Sequence, residues 1–239
     1  MLGYNGCIGS FRAIRRAMND VNISEVIVHG VAFDLKNSDR IQDIDLNDLY
    51  RAIPELFDLL EDREVPFALV GGIALLVYVD GRNTQDINLI LNADDLAKLP
   101  ELIIEERNDE FARAKFGELQ VDVLFTTNAL FETVQRQHLA MRQAGGREIA
   151  CASVEGLLLL KLFALPSLYR QGNLDRVRLY ENDVAQLLAK YETDMQPIHA
   201  ELSHHVLESD LAEIKRIVAD IQQRNAEATR RFGKSGNAD

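Results

Sequence analysis

Cysteine is scarce in this 239-residue chain, which holds only Cys7 and Cys151. Two are too few for a disulfide framework, and their spacing suits no zinc site. Long apolar runs are missing as well. The longest, Pro66 to Val79, has 14 residues and is broken by Gly71 and Gly72, whereas a membrane-spanning helix needs about 20. Arg12, Arg15 and Arg16 stand near the start, but no uninterrupted apolar segment follows them. A secretory signal is therefore not expected, and the chain reads as cytoplasmic with no membrane partner. Basic charge is in deficit: 26 Lys and Arg face 38 Asp and Glu, a net charge of −12. A general nucleic-acid binder needs a basic surface that releases counterions, so that class is disfavoured, although a local basic groove stays open. There is no Gly-x-Ser-x-Gly, no Walker A loop and no Cys/His pair. The five histidines form no motif; His204 and His205, being adjacent, cannot face one ligand from a helix and read as solvated.

What is present is an ordinary globular composition, 47% apolar and 27% charged. A chain of this length buries about 70% of its unfolded surface and needs no staple. Residues 1–42 read as an N-terminal extension of uncertain structure, with Val26 to Phe33 a candidate strand interrupted by Gly30. From Asp45 onward, Leu46, Leu49, Ile53, Leu56 and Leu60 recur at helical spacing, and Pro54 is expected to kink or split that helix. Pro66 to Val70 reads as a buried strand, Ile73 to Val79 as a short helix and Asp86 to Leu91 as a second strand. Asn92 and Asp94 offer caps for a short helix through Leu99. Phe111 to Phe116 and Glu118 to Phe125 read as strands joined at Gly117, residues 126–146 as mainly helical around Leu130 to Met141, and Arg147 to Cys151 as an edge strand. Helices are expected over about 153–165, 174–191 and 206–231, with a disordered tail from Gly233 to Asp239. Strands followed by helices imply an α+β fold, with a mixed-sheet core over 43–151 and a C-terminal helical bundle over 152–232. Leu207, Leu211, Ile214, Val218 and Ile221 make a short heptad-like seam, expected to pack on the domain, with a docked partner helix as the alternative.

One stretch carries chemistry. Val70-Gly71-Gly72 runs from a strand into a helix, where free backbone N–H groups and glycine's small size suit a phosphate; the bland reading is a tight packing turn. Arg82-x-Thr84-x-Asp86-x-Asn88 follows, and period-two alternation puts Thr84, Asp86 and Asn88 on one face. The second strand offers Gln120 and Asp122 in the same way. Neighbouring strands would aim Asp86, Asn88 and Asp122 at one point, the arrangement of a hard-cation site for Mg²⁺ or Mn²⁺ with a nucleoside triphosphate. Lys161 sits among leucines, with Leu157 and Leu165 on its own face, so it either snorkels at the core edge or projects into a cleft. Arg170, Arg176 and Arg178 read equally as surface charge or as a basic rim.

These blocks resemble the DNA polymerase β-type nucleotidyltransferase superfamily. The likeness is to its small prokaryotic branch of abortive-infection and toxin nucleotidyltransferases, whose Lys-Leu-x-Ala-Leu and Asp-hydrophobic-x-x-Leu-Leu helices are matched here by Lys161-Leu-Phe-Ala-Leu165 and Asp183-Val-Ala-Gln-Leu-Leu188. It covers about residues 60–190. It implies a nucleotidyltransferase-like core that passes an NMP from NTP to an RNA (such as tRNA), protein or small-molecule acceptor. Asp86, Asn88 and Asp122 would hold metal; Gly71, Gly72, Arg82, Thr84 and Lys161 would hold the nucleotide; Asp86, Lys161 and Asp183 would be catalytic. The family usually has a second Asp where this chain has Asn88. A carboxylate about 4 Å from a unit charge is worth about 4 kcal/mol at an effective dielectric of 20, so its loss weakens a metal site. The alternative is a degenerate nucleotide- or partner-binding module, with a role in a toxin–antitoxin pair as a further option.

Overall fold

The computed structural model describes residues 21–33 and 45–232. Cys7, the three early arginines and the expected disordered tail lie outside the described residues. Seven strands form one sheet: β1 (Phe67–Val70), β2 (Asp86–Leu91), β3 (Ile103–Arg107), β4 (Phe111–Phe116), β5 (Leu119–Phe125), β6 (Leu139–Ala144) and β7 (Arg147–Ala152), in the order β3-β4-β5-β2-β1-β7-β6. The β2–β5 and β1–β7 pairs are parallel and the others antiparallel. The sheet is mixed and the fold is α+β, as the element order implied. Eight α-helices accompany it among the described residues: α1 (Ile23–Ala32), α2 (Leu46–Asp62), α3 (Gly71–Leu76), α4 (Ala129–Gln137), and the C-terminal set α5 (Val154–Arg170), α6 (Leu174–Lys190), α7 (Met195–Leu202) and α8 (Glu208–Phe232). Buried apolar side chains form one continuous cluster from Ile23 to Ile221.

Several expectations are corrected. Val26 to Phe33 is helix rather than strand. Asn22 caps α1 by accepting from the Glu25 N–H, and Ile23, Ile27 and Val31 fall on one buried stripe at helical spacing. Gly30 is required there for space: a Cβ would lie 2.2 Å from the Thr84 carbonyl oxygen. Pro54 neither splits nor ends α2, which runs 17 residues through it. Its missing N–H leaves the carbonyl four residues earlier, on Tyr50, without its helical donor, and that carbonyl accepts from the Ser24 hydroxyl of α1 at 3.4 Å. Pro66 lies just before β1, and α3 begins at Gly71, two residues earlier than expected. Pro166 likewise lies inside α5, which continues to Arg170.

The helix expected through Met141 stops at Gln137, and residues 139–144 form β6. Gly145 and Gly146, with φ of 63° and 76°, make the two-residue hairpin that folds β6 onto β7. β7 is consequently interior, and the outer strand is β6, bridged by Val21. Asn92 caps a 3-10 helix over Ala93–Lys98, as anticipated in position. β3, exposed along its length at the other sheet edge, and α7 carry no period that announces them. The heptad-like seam packs inward: Ile214, Val218 and Ile221 are buried, and Asn225 donates to the Ala185 carbonyl of α6. No helix among the described residues is long and apolar enough to cross a membrane.

Candidate functional site

A cleft of about 1210 Å³ opens between the β2–β5 face of the sheet and α5, α6 and the segment entering α8. Gly71, Gly72, Arg82, Thr84, Asp86, Asn88, Gln120, Asp122 and Lys161 all line it. Strand pairing explains the convergence. β2 and β5 run parallel with Asp86 beside Gln120 and Asn88 beside Asp122, while Ile87, Leu89, Val121 and Val123 are buried on the opposite face. Thr84 precedes the strand, and its hydroxyl donates to Asp86 Oδ1 at 2.7 Å.

The two glycines have a packing reason. Gly71 has φ of 68°, and a Cβ there would lie 2.6 Å from Asn88 Cγ; a Cβ on Gly72 would lie 2.6 Å from Thr84 Oγ1. The turn leaving β1 is thus pressed against two cleft-lining side chains, Asn88 of β2 and Thr84 just before it.

Lys161 does not snorkel outward. Its ammonium is 2.9 Å from Asp183 Oδ2 and 4.0 Å from the centre of the Tyr180 ring, and its side chain is only 5% exposed. Arg82 Nε approaches Asp183 Oδ1 at 3.5 Å. Asp183 itself is fully buried, among residues behind the cleft wall rather than lining it. Neither of its oxygens has a well-aligned hydrogen bond among the described residues, so the attraction to the two cations is chiefly coulombic. Arg170 and Arg176 line the cleft, with Arg170 held by both oxygens of Asp210 at 2.9 and 3.0 Å. Arg178 points away, highly exposed and 3.9 Å from Asp175.

Arg113 was missed. On β4 it stands opposite Asp122, donating from Nε to Oδ1 at 3.1 Å and from one terminal nitrogen to Oδ2 at 3.4 Å; Gln120 also donates to Oδ1 at 3.3 Å. The hydrogen bond to Asp122 holds the Arg113 guanidinium above its ordinary pKa. Its signal was in the sequence: the turn at Gly117-Glu118 pairs Phe116 with Leu119, and counting back three residues sets Arg113 against Asp122. His205 is a second omission. It lines the cleft and hydrogen-bonds Glu201 at 2.8 Å rather than standing solvated. Phe131, Leu157, Leu160, Phe163 and Tyr180 give the cleft an apolar side.

A divalent cation would need several uncommitted oxygens at one point. Both oxygens of Asp122 already accept from Arg113, one oxygen of Asp86 accepts from Thr84, and Asn88 brings no charge. Among the described residues no three His, Cys, Asp or Glu side chains converge as a ligand set. Asp86, Asn88 and Asp122 thus present no ready ligand set of their own for a divalent cation.

The chain matches no protein-family model and no curated protein sequence. Solved structures do align with it. The crystal structure of ANT(2″)-Ia in complex with adenylyl-2″-tobramycin is 13% identical, covers 73% of this chain and 97% of its own, and overlays with a TM-score of 0.43. An antigenic nucleotidyltransferase-like protein from Paracoccidioides brasiliensis is 16% identical over 72% and 93% of the two chains, with a TM-score of 0.46. The solution structure of the antibiotic-resistance factor ANT(2″)-Ia is 14% identical over 77% and 96%, with a TM-score of 0.43.

Proposed function

We propose that this chain is a nucleotidyltransferase-type protein that binds a nucleoside triphosphate in the cleft. The observation that carries the reading is that one cleft collects the Gly71-Gly72 turn, the Thr84-Asp86-Asn88 face and the buried Lys161. Lys161 and Arg82, oriented by Asp183, supply fixed positive charge to the phosphates, and the N–H groups of Gly71 and Gly72 supply donors. Arg176 extends positive charge along the rim, where Arg170 is already neutralised by Asp210, and the apolar side formed by Phe131, Leu160 and Phe163 receives the base or the acceptor.

The reaction this arrangement serves is transfer of the NMP. An acceptor oxygen attacks the α-phosphorus, the bond to the bridging oxygen breaks, and pyrophosphate leaves. The resemblance implies Mg²⁺ or Mn²⁺, RNA, protein or small-molecule acceptors and a toxin setting. Of these, the metal has no matching donor set at Asp86, Asn88 and Asp122. Asp86 is the carboxylate nearest in role to a proton acceptor for the attacking hydroxyl. A second reading, favoured by Asn88 and by the Arg113–Asp122 pair, is a module that holds nucleotide without turning it over.

Thermal unfolding with each NTP tests binding. Ligand at 100 times its dissociation constant stabilises by about 2.7 kcal/mol. That shift is expected in the wild type and absent in the Lys161→Met/Asp183→Asn double variant, which removes both charges of the buried pair together. No shift with any NTP overturns the reading. Pyrophosphate release on adding bulk tRNA or a protein acceptor then separates transferase from module.

A further inference from the structure

We infer that nucleotide binding in this cleft is independent of divalent metal, because the chain supplies the neutralising cation itself. The inference rests on the nucleotide reading of the cleft above. One row crosses the sheet: Val70 on β1, Asn88 on β2, Asp122 on β5 and Arg113 on β4 are successive partners in register. Where a metal site needs two carboxylates side by side, this row presents an amide and then a carboxylate clamped by a guanidinium.

The clamp is a built feature. Asp122 is nine-tenths buried, and Arg113 reaches both of its oxygens while its guanidinium lies 5.6 Å over the Phe111 ring and 3.8 Å from Glu106. Pairing through two donors fixes the carboxylate's orientation, and a buried carboxylate so held is costly to recruit to a metal. In the cleft wall and directly behind it, three carboxylates, Asp86, Asp122 and Asp183, are set against three cations, Arg82, Arg113 and Lys161. A wall balanced in this way does not repel a polyphosphate, so it needs no Mg²⁺ bridge between two anions. Arg113 does not line the cleft; it acts through Asp122, as a positioning and neutralising residue.

The experiment is calorimetric titration of the full chain with ATP and with each other NTP, in EDTA and in Mg²⁺, for the wild type, Asn88→Asp and Asn88→Asp/Arg113→Gln. Binding of Mn²⁺ alone is followed in parallel by electron paramagnetic resonance. In the wild type the dissociation constant is expected to change by less than about twofold between EDTA and Mg²⁺, with no Mn²⁺ retained. In the double variant Mg²⁺ is expected to tighten binding by about tenfold or more, and Mn²⁺ to be held. Asn88→Asp alone, nearly isosteric, keeps the test decisive if the double variant does not fold: it is expected to show a smaller metal effect of the same sign. Wild-type binding that requires Mg²⁺, or wild-type Mn²⁺ retention, overturns this inference while leaving the nucleotide reading intact. Failure of every NTP to bind under both conditions overturns both.

Discussion

Asp183 shows how one buried charge organises a site it does not line. Removing its carboxylate as Asp183→Ala leaves Lys161 and Arg82 together without their anion behind the cleft wall. Loss of one partner from a buried pair costs about 3–5 kcal/mol, and urea denaturation is expected to show a loss of that size. Adding Lys161→Met should recover part of it, since the uncompensated charge is then gone. At this scale the sequence was informative about identity and silent about role. Lys161 and Asp183 were both singled out, but the spacing of one helix cannot reveal that a side chain on another sits 2.9 Å away. Asn88 is legible in the sequence as a missing charge, whereas the clamp on its neighbour Asp122 depends on β4, one strand further.

Elements show a second layer of coupling, between α1 and the site. Gly30 lets α1 approach the loop that carries Arg82 and Thr84, with a Cβ there meeting the Thr84 carbonyl at 2.2 Å. Gly30→Ala is therefore expected to destabilise despite alanine's better helix propensity, which by itself favours alanine by about 1 kcal/mol, and to weaken nucleotide binding as well, read by thermal unfolding with and without ATP. Pro54 makes the opposite prediction. Its side chain is exposed in the middle of α2, and Pro54→Ala returns a donor to the Tyr50 carbonyl. Urea unfolding should show stabilisation of about 1–3 kcal/mol. Both features were misread from sequence for one reason: a β-branched run with a glycine mimics a strand, and proline suggests a break, unless the packed neighbour is known. The hairpin at Gly145-Gly146 was readable from its two consecutive glycines, yet the apolar periodicity before it suggested helix instead.

For the molecule as a whole, acid sensitivity follows from α7. His199 on α7 is pushed below its ordinary pKa, first by burial and then by Lys215 on α8. The unfolded chain consequently takes up the proton first as the pH falls, and stability drops on going below the ordinary histidine value of about 6.5. The Glu201 carboxyl, held below its usual range chiefly by the His205 hydrogen bond, adds a loss in the same direction at lower pH. Urea midpoints at pH 7.5 and 5.5 should therefore differ, with the acid value lower, and His199→Gln should reduce the difference. An unchanged difference in that variant would place the acid sensitivity elsewhere.

The sequence by itself determined the α+β class, the strands β1, β2, β4 and β5, the helices α5, α6 and α8, and the face shared by Asp86 and Asn88. Those follow from apolar periodicity and caps, which act over a few residues. Tertiary structure alone decided that β7 is interior, that α1 belongs to the packed core, that Asp183 is an anchor behind the wall and that Arg113 clamps Asp122. Each depends on contacts between residues distant along the chain or across strand pairings, where burial and charge compensation set the outcome and local propensity has no say.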